Sequence, residues 1–198
     1  MKLTIDGREV LARKEQSLLS LVREAGLDSE LLSARPLAAR IAGEVFTLNY
    51  IPLREKDGEG DRPSMRRAMA ASQGVIHLLR CRDSAGRDVY VRTAQFVMFL
   101  ALSRLWPKAA CTMDCTLGSS VFVSVRGAED FSAARLKEEV GAIVRQDIPL
   151  LRRHVKKDAA IARYRAQGRE DKARLLTWLE RDSCSEYVYE GYSDNFFG

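Results

Sequence analysis

Histidine is scarce in this sequence: there are two among 198 residues, His77 and His154. Each stands alone in sequence, His77 inside VIHLL and His154 inside LLRRHVKKD, and a lone strand histidine is more often a packing residue than a base or ligand. Also absent is any G-x-x-x-x-G-K-[ST] stretch, so the chain contains no phosphate-cradling P-loop of its own. Long apolar runs are missing too. The longest, within VRTAQFVMFLALSRLWP (residues 91–107), is bracketed by Arg92 and Arg104 and falls short of the roughly eighteen residues a membrane span needs. The opening MKLTIDGREV alternates like a strand and does not run from a charged segment into an apolar one, so it is not a secretory signal. With four cysteines and no signal, the expectation is a reduced, cytoplasmic protein with free thiols.

What is present is ordinary globular composition, 46% hydrophobic and 30% charged, enough to bury a core. The formal charge of +5 leans basic, which permits contact with phosphates without requiring it.

The pattern along the chain predicts α+β structure. KLTIDGREVLA is a hairpin, because Asp6-Gly7 supplies two turn positions that accept positive φ. In SLLSLVREAG, Ser17 caps a helix, Leu18, Leu21 and Val22 form its apolar stripe, and Gly26 stops it. PLAARIAGEVFTL gives short strands around Gly43, and VIHLLRC (75–81) another. Residues 54–74 are polar and read as a mobile insertion with a short helix after Ser64. SAGRD marks the join to a second unit. A helix over 92–106 follows, then a strand pair across CTMDCTLGSSVFVSV. Next come a helix in SAARLKEEVGAIVRQDIP and two short helices, DAAIARYRAQG (capped by Asp158, stopped by Gly168) and EDKARLLTWLE. EYVYEGY closes as one strand.

This order of elements resembles a known pair. Residues 1–83 are similar to a TGS domain, the ubiquitin-like β-grasp module at the start of threonyl-tRNA synthetases. Residues 84–198 resemble the editing domain that follows it there, truncated at its C-terminus. VRTAQFVMFLALSRLWP, TLGSSVFVSV, QDIPL, ARYRAQGREDKARLL and GYSDNFFG resemble more closely the N-terminal half of bacterial uridine (nucleoside) kinases that carry this pair ahead of a P-loop domain. Editing helices present two histidines four residues apart, on one face, where they share a metal or position a water. Aligned through Trp106-Pro107, those positions here are Phe96 and Leu100, which can do neither. The family's late-strand Cys-x-x-x-His places its cysteine at Phe196 and its histidine beyond Gly198. The resemblance therefore implies a relic cleft around Phe96, Leu100, Asp194 and Phe196, with no catalytic residue and no metal. It implies no cofactor in this chain either; ATP and Mg belong to a kinase domain downstream, which would be its first partner. The end on FFG fits a segment of a longer protein.

Two other features carry candidate chemistry. Cys111 and Cys115 in CTMDC lie on a strand, where residues four apart are separated by roughly 13 Å, too far for one ion. They read as structural thiols. The segment from Arg145 to Leu175 is rich in cations, among them Arg152, Arg153, Lys156, Lys157, Arg163 and Arg165, with Tyr164 able to stack on a base. The plainer reading is a solvated helix face with Asp158, Glu170 and Asp171 as local partners; Arg62, Arg66 and Arg67 in the insertion are read the same way.

The favoured function is a non-catalytic regulatory, oligomerising or ligand-sensing module of a uridine kinase-like protein. The alternative is a stand-alone tRNA- or RNA-binding module, and an active aminoacyl-tRNA deacylase ranks last. RNA, a nucleotide or further copies of the chain are candidate partners; a membrane is not.

Overall fold

The computed structural model describes residues 1–52, 63–118 and 120–195. Among them the chain divides into two compact units, Met1–Arg92 and Thr93–Gly198, and both are α+β.

In the first unit, β1 (Lys2–Ile5) and β2 (Arg8–Leu11) form the expected hairpin. Ile5 pairs with Arg8 across Asp6 (φ 44°) and Gly7 (φ 83°), so both turn residues take the left-handed conformation that Asp-Gly tolerates. A second two-residue turn, Ala42-Gly43, joins β3 (Ala38–Ile41) to β4 (Glu44–Phe46). With β5 (Val75–Leu79) they make one sheet in the order β2-β1-β5-β3-β4, where β1 and β5 run parallel and the other pairs antiparallel. α1 (Leu18–Glu24) starts where the Ser17 hydroxyl accepts the Ser20 amide at 3.2 Å, and it buries Leu18, Leu21 and Val22 against Leu3, Ile5, Ile41 and Ile76 of the sheet. Just past the end of β1, Asp6 accepts the Leu78 amide and an Arg80 Nη1 proton, both at 2.9 Å, tying the first hairpin to the last strand.

Three local expectations are corrected here. The polar insertion is not wholly outside the fold. Its residues 54–62 lie outside the described residues, but the short helix expected after Ser64 is present as α2 (Pro63–Ala71) and buries Ala68 and Met69 in the first core, and the Gly74 carbonyl accepts the Thr4 amide. His77 is not a packing residue; alternation along β5 turns Ile76 inward and His77 to solvent. SAGRD, expected at the join, forms the first turns of α3 (Ser84–Leu105), and the units divide further along that same helix, after Arg92. Its glycine misled because it has a packing reason: a Cβ on Gly86 would stand 2.0 Å from the Arg80 carbonyl oxygen.

The second unit holds the rest of α3, the hairpin of β6 (Ala110–Leu117) and β7 (Ser120–Arg126), and α4 (Ala133–Gln146), followed by β8 (Leu151–Lys156), α5 (Lys157–Ala166), α6 (Glu170–Thr177), β9 (Ser183–Tyr189) and β10 (Tyr192–Asp194). β10, β9 and β8 form an antiparallel sheet in that order. β9 is its central strand, and its alternation divides the interior in two. Tyr187 and Tyr189 face a core shared with Phe96 and Leu100 of α3 and Ile143 of α4, whereas Cys184 faces one made by Ala160 and Tyr164 of α5 and Ala173 and Leu176 of α6. α4 is capped by Ser132, whose hydroxyl accepts the Arg135 amide, and ends on Asp147 in the left-handed region. Trp106, just past α3, donates its indole proton to Asp130 at 2.8 Å.

Here too the sequence reading needs correction. LRRHVK is a strand, β8, rather than part of a basic helical surface. EYVYEGY is two strands, split by a third two-residue turn at Glu190-Gly191. Asp158 does not cap α5: Lys156 holds the cap position without a side-chain hydrogen bond, and Asp158 sits within the first turn, where a negative charge still suits the helix dipole. No helix among the described residues is long and apolar enough to cross a membrane.

Candidate functional site

Phe96 and Leu100 stand one turn apart on α3, 1% and 2% exposed. They pack with Ala101, Ile143 and Tyr189, and the Tyr192 ring meets Phe96 edge-on at 5.4 Å. Nothing on either side chain can bind a metal or accept a proton, so these two positions of the helix supply apolar packing.

Tyr192 links that core to a charged cluster. Its hydroxyl donates to Asp194 Oδ2 at 3.3 Å, and Asp194 is 1% exposed. A carboxylate removed from water needs its lone pairs occupied, and these are. Arg169 reaches Oδ2 at 3.0 Å, Lys172 reaches Oδ1 at 3.0 Å, and the Asn195 amide donates to Oδ1 at 2.8 Å. Arg169 also donates to the Ser193 carbonyl and Lys172 to that of Asn195, while the Asn195 side chain donates to the Ser185 carbonyl. Arg169 and Lys172 lie at the start of α6, where the dipole disfavours cations by about 0.3–1 kcal/mol. Their placement is intelligible only through Asp194.

On the other face of β9 lies a second buried carboxylate. Glu186 pairs with Arg163 of α5, and next to it Tyr164 is fully buried beneath the guanidinium of Arg169, 5.1 Å from its ring centre. Burial pushes the Tyr164 phenol well above its usual value, with Glu186 and Asp194 adding to the shift. Tyr192 is raised for the same reasons, burial first and then Asp194. Burial opposes the charge on Arg169, but Asp194 and the tyrosines more than offset it and hold the guanidinium above its ordinary value. The Cys184 thiol is also raised by burial, then by Glu186.

The structure thus connects Phe96, Leu100 and Asp194 through Tyr192; Phe196 lies outside the described residues. The six cations singled out in the sequence do not form one surface. Arg163 is drawn inside by Glu186, Arg165 pairs with Glu170 at 3.5 Å, and the Lys157 ammonium donates to the Leu179 carbonyl. Arg152 donates to the Ser185 hydroxyl, leaving Arg153 and Lys156 exposed on β8. Tyr164, considered for base stacking, is interior and unavailable for it. Sequence reasoning missed half-buried Arg169, Lys172 and Tyr192, gathered on Asp194, and buried Glu186. The available signal was a pair of cations, three apart, at a helix start.

The paired cysteines of CTMDC are separated by more than distance. Met113 pairs with Val123, but Cys115 pairs with Phe122, so a bulge at Asp114 shifts the register by one residue. Cys111 and Met113 therefore share a face with Val123 and Val125, and Cys115 lies on the opposite face with Phe122. Asp114 accepts from Ser124 and Thr112, and these bonds, Ser124's the larger influence, hold its carboxyl below its usual value. Among the described residues no three His, Cys, Asp or Glu side chains are close enough to hold a metal ion.

No protein-family model matches the chain. Curated relatives do. A threonine–tRNA ligase of Desulforamulus reducens is 24% identical over 170 residues, which cover 84% of this chain and 24% of the ligase. That of Syntrophomonas wolfei is 22% identical over 176 residues, 87% of this chain and 25% of the ligase, and that of Desulfosudis oleivorans 27% over 126 residues. Most of this chain is threonyl-tRNA synthetase-like. It spans about a quarter of the length of the first two ligases. Within this synthetase-like stretch, α3 offers two buried apolar side chains at Phe96 and Leu100, and the Asp194 carboxylate is held by Arg169 and Lys172.

Proposed function

We propose that this chain is a non-hydrolysing, synthetase-like module that regulates a catalytic domain of the same, longer protein. One observation carries the reading: Phe96 and Leu100 are core side chains at the positions where the editing domains it resembles place two histidines. The sheet order β2-β1-β5-β3-β4, with one capped helix packed on it, supports a β-grasp, TGS-like first unit. Four free cysteines support a reducing, cytoplasmic setting. The resemblance of VRTAQFVMFLALSRLWP and GYSDNFFG to the region ahead of the P-loop in bacterial uridine kinases supplies the finer identity. On that reading, the whole protein transfers phosphate from ATP to uridine or cytidine, with ATP and Mg held by a domain beyond Gly198.

Two measurements test this. The 198-residue chain should release no serine from seryl-tRNA, and turnover, with or without a chelator, would overturn the non-hydrolytic reading. The full-length protein should phosphorylate uridine in the presence of ATP and Mg, more weakly or with altered control once residues 1–198 are removed. A second reading, RNA binding, keeps the support of Arg153 and Lys156, which have no acidic partner among the described residues. It predicts tRNA affinity that falls steeply with salt.

A further inference from the structure

α6 buries Ala173 and Leu176 and turns the opposite face to solvent. On that face are Arg174, Leu175 and, one turn beyond Arg174, Trp178 at the helix end. Trp178 is 82% exposed, the most exposed large apolar side chain among the described residues, and Leu175 is 52% exposed. An indole left so fully in water, when it could bury more apolar area than any other side chain, marks a contact surface better than a scattered leucine does.

The surroundings of Trp178 are cationic. Arg174 precedes it by four residues and Arg181 follows by three; both are exposed and have no acidic partner among the described residues. The Lys157 ammonium rests on the carbonyl of Leu179, the next residue, and the Lys157 amide on that of Asp182. Lys156 pairs in register with Ser183 at the end of β8. Arg174, one helical turn before it, and Arg181, three residues after it, therefore flank the exposed indole, with Glu180 and Asp182 as the nearby acids in sequence. Two apolar side chains are too little surface to insert into a lipid bilayer, whereas one planar ring beside separated cations suits a polyanion that carries its own planar groups.

We propose that the outer face of α6 binds single-stranded nucleic acid, with Trp178 stacking on an unpaired base and Arg174 and Arg181 meeting the flanking phosphates. The proposal rests on the RNA-binding reading for its ligand class and goes beyond it in naming the surface and what the surface reads.

The experiment uses the protein's own fluorescence. The only other tryptophan, Trp106, is buried and hydrogen-bonded to Asp130, so a change in emission on adding a short oligouridylate reports Trp178. Expected results are quenching that saturates in the parent and, by anisotropy of a dye-labelled oligouridylate for every variant, affinity lowered about tenfold or more by Trp178→Ala with most of it kept by Trp178→Phe. Arg174→Gln with Arg181→Gln should make the slope of log affinity against log salt shallower by about 1.4. Circular dichroism of each variant should match the parent, since all three side chains are exposed. Unchanged affinity in Trp178→Ala overturns the proposal, as does equal binding of a duplex of the same length or preference for phosphatidylglycerol vesicles. If RNA still binds with salt sensitivity but ignores Trp178, and Arg153→Gln weakens it, this surface is wrong and the broader RNA reading stands. If no RNA binds at all, both fall.

Discussion

The two units solve the problem of a core in different ways. In the first, one sheet and two helices enclose side chains that are apolar throughout, and charge stays at the margin, as in the pairing of Asp6 with Arg80. In the second, a single strand separates two cores, and Glu186, Asp194 and Asn195 are buried alongside the apolar residues. An apolar core tolerates exchange of one aliphatic group for another of similar volume. A buried carboxylate does not, because each partner lost leaves charge without compensation. The second unit therefore depends more heavily on a few named side chains.

The sharpest way to break this contrast is to remove the cations. Arg169→Ala with Lys172→Ala leaves Asp194 with only the Tyr192 hydroxyl and the Asn195 amide, and should lower stability by on the order of 3–5 kcal/mol. Urea unfolding followed at Trp106, in a Trp178→Phe background, measures it. A loss below about 1 kcal/mol would mean that water screens the cluster like a surface pair. Next comes Leu21→Ala in the first unit, where a fully buried leucine facing the sheet should cost about 2–5 kcal/mol by far-UV circular dichroism; Leu21→Met should recover most of it.

Those two sites also mark how far the sequence could be read. Leu21 was legible because its helix has a periodic apolar stripe between Ser17 and Gly26, all local information. Both ends of the Asp6-Gly7 hairpin were legible for the same reason. The Asp194 cluster was not. Asp194 and Arg169 are 25 residues apart and meet only when β10 closes against the start of α6. The β8 strand is hard to read because LRRHVK carries three cations and only Val155 is partly buried, and edge strands use such charges without losing their pairing. The relic positions Phe96 and Leu100 came from resemblance; periodicity alone would have assigned them to a core without asking what they replaced.

Helix caps should affect the two units nearly alike. Ser17→Ala and Ser132→Ala are each expected to cost about 1 kcal/mol, Ser17 slightly more because its hydroxyl sits closer to the amide it accepts, 3.2 Å against 3.4 Å. A large disparity would show that one helix depends on tertiary packing more than its cap suggests.

The smallest effect concerns pH. Tyr164 and Tyr192 have raised phenol pKa values in the folded state, so below about pH 10 both states carry the proton and stability is unaffected. Above that the unfolded phenols ionise while the folded ones do not, and stability declines as pH rises. In an ultraviolet titration these two of the six tyrosines should ionise only as circular dichroism is lost. If all six ionise together in an intact protein, the second unit's interior is wetter than its geometry implies.

The one-residue slip in β6 has a practical side. Because it points two nearby sulfur atoms in opposite directions, Cys111 and Cys115 cannot close a bridge with each other without rebuilding the ribbon. Oxidation of this hairpin would therefore link separate molecules sooner than it would staple one, and a maleimide dye should find the outward thiol of Cys115 before its half-covered neighbour.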